Sequence, residues 1–378
     1  MIDFPNMPPF APKWAWILSG VIYFSILLIY NKWGFTRPVS FANNAKKNSL
    51  VALVFIFCIT AIYCGDWVHM QILVHDTIST EYKKGYSIEM VYFLLANLLN
   101  GNYLLFRIVV WGGGLYFLMR SFKESHLDPY RCLFFLFGIY ITTFAYSRSS
   151  AAHAVFFCGL VTLFQSKEYR KNISLITGIV LLVASVFLHR SMLALVILTP
   201  LVLVPLNRRT YVLLLIGVVV LLSFMWGSLF EGVLGTLMES DEYAHRIELY
   251  ENASGSQNFS FDINGLFFLW YKGIIHIPFW FCIIHINKRI SKDKVPYNIQ
   301  AVYRFSILLY MFTMMMMLKY GSASAFYYRY EAMLYIPITI MVGYLFQNGF
   351  ILRDKYTLLF WVCALSQCKD FIYRILFT

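Results

Sequence analysis

The strongest constraint in this sequence is a hydrophobic run of awkward length. Ile173 to Leu206 is 34 residues long and carries charge only at His189-Arg190. At ~1.5 Å per residue one helix of that length would reach about 50 Å, well beyond a hydrocarbon core of ~30 Å. Two full spans would want about 40 residues. The economical solution is two short helices meeting at His189-Arg190-Ser191, with the charged pair at or just inside a membrane face. Upstream, Tyr146-Ser147-Arg148-Ser149-Ser150-Ala151-Ala152-His153 opens another apolar span that runs to Gln165, followed by a basic turn from Lys167 to Lys171. Arg148 and His189 then come from neighbouring hairpins that open on the same face.

Composition turns this local argument into a class. Hydrophobic residues make up 60% of the chain and charged residues 13%, with a mean hydropathy of +0.64. A soluble domain carries about 25% charged residues, so the expectation is an all-α, polytopic membrane protein. Twelve apolar segments are expected: Trp14–Tyr30, Leu50–Cys64, Tyr103–Leu118, Cys132–Phe144, Ala151–Phe164, Ile173–Leu188, Met192–Leu206, Tyr211–Leu229, Ile263–Ile286, Ala301–Leu318, Ala332–Phe346 and Tyr356–Ile372. They form one integral membrane domain over 1–378, with outer loops at 65–100 and 230–262. The first of these loops ends in an expected interfacial helix over Ile88–Leu99. The second carries Glu239, Asp241, Glu242, Glu248 and Glu251 around His245-Arg246.

A net charge of +12 could suggest nucleic acid, but its distribution follows topology. Alternate loops hold 18 of the 31 Lys and Arg residues and five of the 19 acids, which marks them as cytoplasmic. The N-terminus is then outside, and with twelve spans so is the C-terminus. No nucleic-acid partner is expected. The seven cysteines show no CxxC or Cys/His ligand spacing, so neither a metal site nor a cofactor is expected.

Charges at the outer ends of the segments converge on one face: Asp66, Glu89, Arg107, Arg148, His189, Arg190, Arg246, Lys319, Arg329 and Glu331. Ionisable groups beside spans are costly and usually face a cavity. Guanidiniums grip phosphate oxygens bidentately, so Arg107, Arg148, Arg190, Arg246 and Arg329 suit a lipid-linked pyrophosphate. Taken singly, each also reads as an interfacial anchor. Asp66 is either a general base for an attacking hydroxyl or a helix-end carboxylate. His189 is a base, a phosphate or hydroxyl holder, or a histidine satisfying carbonyls at a helix end. Tyr330 and Glu331 open a late span beside Arg329, as part of the substrate surface or as partners of their neighbours.

These residues form a pattern. The outer Asp66, Arg148 with Ala151-Ala152, Phe187-Leu188-His189-Arg190-Ser191, and Tyr328-Arg329-Tyr330-Glu331 together resemble the EpsG/Wzy-type polysaccharide polymerases, from about Gly65 to Tyr344. One departure is that Lys83-Lys84 precede Gly85-Tyr86 where that family often has an acid, and Glu89 follows. The resemblance implies a metal-independent glycosyltransferase of GT-C-like architecture in the bacterial inner membrane. It would join repeat units carried on undecaprenyl pyrophosphate into O-antigen, capsule or exopolysaccharide. Its partners would be the lipid-linked donor and acceptor, membrane lipid and a chain-length regulator. On this reading Asp66 or His189 is the base, and Arg107, Arg148, Arg190, Arg246, Arg329, Tyr330 and Glu331 bind substrate. The rivals are a flippase or transporter of the same glycan and an O-antigen ligase.

Overall fold

Helices account for the regular structure among the described residues of the computed structural model, which are 13–33, 48–49, 51–52, 54–56, 89–144, 149–169, 172–203, 275–290, 295–320 and 330–377. The helices, numbered here in chain order, are α1 (Lys13–Trp33), α2 (Met90–Leu98), α3 (Tyr103–Glu124), α4 (Pro129–Phe144) and α5 (Ser149–Tyr169). They continue with α6 (Asn172–Leu188), α7 (Met192–Leu198), α8 (His276–Ile290), α9 (Tyr297–Tyr320), α10 (Tyr335–Gln347) and α11 (Arg353–Phe377). Each falls on an expected segment, and α2 falls on the expected interfacial helix. The segment Tyr211–Leu229, the loop 230–262 and most of the loop 65–100 lie outside the described residues.

The long run resolves as its length requires. α6 ends at Leu188 and α7 begins at Met192, so the break falls at His189-Arg190-Ser191. α7 then tightens into a 3₁₀ turn over Thr199–Leu203, where Pro200 cannot supply an N–H to a continuing α-helix.

Two glycines fix how α5 and α6 pack. A Cβ on Gly178 would sit 2.7 Å from the backbone nitrogen and Cα of Leu163, and one on Gly159 would sit 2.9 Å from the nitrogen of Leu182. Only a hydrogen fits at either place, so the two backbones touch. The contacts pair Gly159 with Leu182 and Leu163 with Gly178, an antiparallel register that, carried onward, puts Ala152 level with His189. α3 runs parallel to α5: the Cβ position of Gly114 lies 3.4 Å from the Cα of Ala151, and Phe117 packs against Val155 and Cys158 further along.

Burial sorts the helices into centre and shell. α5 is buried on every side from Ser149 to Thr162, as are α10 from Ile336 to Phe346 and α4 from Arg131 to Tyr140. Helices that are apolar all round belong inside. Around them, α1 exposes Ile17, Val21, Phe24 and Leu28; α6 exposes Ile176, Val180, Val183 and Phe187; α8 exposes Ile277, Trp280 and Ile284. These are outward stripes at helical spacing. An apolar surface this extensive is disfavoured in water. Among the described residues, α3, with 22 residues, is long and apolar enough to cross a membrane.

Polar clamps close one end of the bundle. His126, at φ 56°, ends α3 with paired bonds from its own N–H to Lys123 O and from Leu127 N–H to Phe122 O, the Schellman arrangement. Asp128 then caps α4 through Tyr130 and Arg131 N–H. Gln347 at the end of α10 donates to His126 O and accepts from Asp128 N–H, while Asn298 of α9 donates to Glu124 O. Arg131 lies over Phe346 and Arg289 over Phe350. Arg120, Lys123, Arg131, Lys288 and Arg289 belong to the loops the sequence groups together as basic, and the helix ends bearing them meet here.

The glycine contacts make a sharp prediction. Gly178→Ala should destabilise the protein by about 1–3 kcal/mol because backbone must move. Gly113→Ala, where nothing lies within 4 Å of the new Cβ, should be neutral or gain up to about 1 kcal/mol of helix propensity. Thermal unfolding of the detergent-solubilised variants measures both.

Candidate functional site

At the opposite end, the α6–α7 break builds a compact polar turn. His189 N–H closes α6 onto Ser185 O, and the carbonyls of His189 and Arg190 accept from Met192 and Leu193 N–H. The N–H groups of His189, Met192 and Leu193 are thus bonded across the break. His189 is buried, Ser191 half-buried and Arg190 exposed.

The imidazole is held on both sides. Ser191 Oγ lies 2.6 Å from Nδ1, and the Ser191 backbone N–H donates to the same nitrogen at 3.3 Å. A backbone N–H can only donate, so Nδ1 is the acceptor and the neutral ring carries its proton on Nε2. Nε2 faces Glu89 Oε1 at 3.9 Å, too long for a hydrogen bond and an ion pair only when the ring is protonated. Glu89 starts α2: its carbonyl accepts from Tyr92 and Phe93 N–H, and its side chain makes no capping bond. The carboxylate is thereby directed at the histidine, with only 10% of the Glu89 side chain and 8% of the His189 side chain exposed.

Other elements close around this pair. Tyr330, in the helical turn before α10, donates its hydroxyl to Ser191 O at 3.4 Å and sets its ring edge-on to Phe312 of α9. Glu331 beside it is buried. Tyr92 of α2 packs edge-to-face on Phe106 of α3, next to Arg107, which is 1% exposed. The Arg107 guanidinium sits 4.9 Å over the Trp111 ring and 5.8 Å from Tyr103, a placement that stabilises a cation away from water. Beneath, His153 Nδ1 lies 3.4 Å from the Tyr140 hydroxyl, and the Tyr140 ring stacks on Tyr335.

The sequence-predicted residues fare differently. His189 and Tyr330 come together through Ser191. Arg190 projects from the same turn, Glu331 adjoins Tyr330, and Arg107 lies at this end seated on aromatic rings of its own helix. Asp66, Arg148, Arg246 and Arg329 lie outside the described residues; in sequence Arg148 directly precedes Ser149, the first residue of α5, and Arg329 directly precedes Tyr330. The sequence reading names Glu89 only as a rim charge and Ser191 only as part of the break. The hydroxyl two residues after a helix-ending histidine is the signal that could have found Ser191. No spacing in the chain links Glu89 to a residue 100 positions away. Among the described residues, no group of three or more His, Cys, Asp or Glu could share a metal ion.

A family model described as the EpsG family matches residues 74–376. The match takes in α2 to α10, nearly all of α11, and every candidate residue except Asp66. No curated protein and no solved structure matches the chain.

The buried pair should be energetically coupled. In a double-mutant cycle on Glu89→Ala and His189→Ala, stability measured by thermal unfolding should show a coupling of about 0.5–3 kcal/mol, as for residues in direct contact. Pairing Glu89→Ala with a change at the remote Arg289 should be additive.

Proposed function

This chain belongs to the EpsG family, a family of polysaccharide polymerase-like proteins, and on that premise we propose that it is a glycosyltransferase that polymerises lipid-linked oligosaccharide repeat units. The terminal hydroxyl of one undecaprenyl-pyrophosphate-linked oligosaccharide attacks C1 of the reducing-end sugar on another. The C1–oxygen bond to the pyrophosphate breaks, and undecaprenyl pyrophosphate leaves with the electron pair. This leaving group needs little protonation but gains negative charge, which fixed cations stabilise. Arg148, Arg190 and Arg329 take that part, with Arg107 and Arg246 as further cations. Asp66 or His189 takes the hydroxyl proton, and Tyr330 and Glu331 line the substrate surface.

The observation that carries the reading is the cluster of buried Glu89, His189 and Tyr330 around the half-buried Ser191, at the bundle end opposite the basic clamps. A transporter places its polar groups near the midplane. The central stretches of α4 and α10, Leu133 to Tyr140 and Ile336 to Phe346, carry no charged residue. We assign the protein to the bacterial plasma membrane as a twelve-span, GT-C-like enzyme with its N-terminus and site on the outer face. The outward apolar stripes and the family support that placement, which would put the basic end in the cytoplasm. A chain-length regulator is the expected protein partner. The product would be an O-antigen, capsular polysaccharide or exopolysaccharide.

Reconstitution in liposomes with an undecaprenyl-pyrophosphate-linked repeat unit tests this. Wild-type protein should lengthen the glycan into a ladder. Arg148→Ala, His189→Ala and Arg329→Ala should each lower the rate by about 10²-fold or more while remaining monodisperse in detergent. Normal ladders for all three would refute the assignment. Movement of unlengthened substrate across the bilayer would instead mark a flippase, and transfer only to a lipid A acceptor would mark a ligase.

A further inference from the structure

We infer that Ser191 carries the acceptor's proton to His189 and that Glu89 positions His189 to receive it. This route rests on the polymerase reading and deepens it. In the observed arrangement neither ring nitrogen of His189 is open to a substrate: Nδ1 is covered by Ser191 Oγ at 2.6 Å, and Nε2, bearing the proton, faces Glu89 Oε1 at 3.9 Å. The ring is buried, whereas Ser191 is half-buried and lies next to the exposed Arg190. Ser191 Oγ is therefore the accessible end of the chain of groups.

The step balances without a further reactant. As the acceptor oxygen bonds to C1, its proton passes to Ser191 Oγ while the Ser191 proton moves to His189 Nδ1. The electron pair of the breaking C1–oxygen bond leaves with the pyrophosphate. The imidazolium so formed keeps its Nε2–H toward the Glu89 carboxylate, and an opposite charge at this distance favours the protonated ring. The proton is released to solvent once the glycan product departs. Serine here remains unacylated and unglycosylated, and only protons move through it. Tyr330, donating to Ser191 O at 3.4 Å, helps hold the turn that keeps the hydroxyl on Nδ1.

Two measurements on the full-length protein test the route. Imidazole ¹⁵N spectra of histidine-labelled protein in lipid, with His189→Gln used to assign the signal, should show the Nε2–H tautomer for His189; an Nδ1–H tautomer would overturn the route. In the reconstituted assay, Ser191→Ala and Glu89→Gln should each lower kcat about 10- to 100-fold with KM little changed. Ser191→Thr, which keeps a hydroxyl, should retain most of the rate, and Ser191→Ala should add nothing on top of His189→Ala. An active wild type in which Ser191→Ala and Glu89→Gln turn over normally would strike the route alone. A wild type that lengthens no glycan would strike the polymerase reading, and the route with it.

Discussion

The contact between the α5 and α6 backbones at Gly159 and Gly178 is the constraint on which the rest depends. With Cβ positions 2.7–2.9 Å from opposing backbone, the hairpin cannot slide without driving side chains into main chain. In a close-packed interior this fixes the register. Carried to its end, that register sets the last residue of the α6 break level with the first turn of α5. α3, parallel to α5, brings Arg107 to the same end, and α2 folds back over α3 to deliver Glu89. The site is thus set by two glycines roughly two to three helical turns from it.

Much of this was legible in the chain. The break at His189-Arg190-Ser191 followed from length against bilayer thickness, and α6 and α7 end and begin where that argument puts them. The two-ended division of charge followed from counting loops, and Asp128, Arg131, Asn298 and Gln347 show why one end is rich in polar groups: they cap helices and tie them to one another. The extent of burial was not legible. Arg107 reads in sequence as a rim charge, yet it is 1% exposed, because Tyr103 and Trp111, each four residues away on the same helix face, offer it ring faces in place of water. Glu89 was harder still. Its role depends on which end of α6 meets α2, a tertiary fact that short-range spacing does not encode.

Burying a carboxylate next to an imidazole is expensive in a medium that solvates neither. The chain limits the cost by placing both at a helix end and by holding the imidazole through bonds to Ser191 in its own turn. Ser191 fixes the ring through both its hydroxyl and its N–H, so the orientation is local and survives small shifts of α2. Glu89 arrives from a separate element and adds only charge. The geometry separates the two contacts: Ser191 bonds the ring within its own turn, and Glu89 brings a carboxylate to the other ring nitrogen from a separate helix.

That separation bears on where positive charge for a pyrophosphate must originate. Helix N-termini can hold phosphate unaided, and α5 and α7 both begin at this end. The C-terminal end of α6 meets the start of α7 at the turn, so the dipoles of those two helices oppose each other there. Two buried acids, Glu89 and Glu331, share this end with the buried Arg107. Carboxylates beside a diphosphate would oppose its binding. On the proposed reading guanidiniums offset that repulsion, and the sequence supplies three next to this end: Arg148 directly before α5, Arg190 on the turn itself, and Arg329 directly before Tyr330. In that proposal the buried acids belong to the proton route and the arginines supply the attraction for an anionic leaving group.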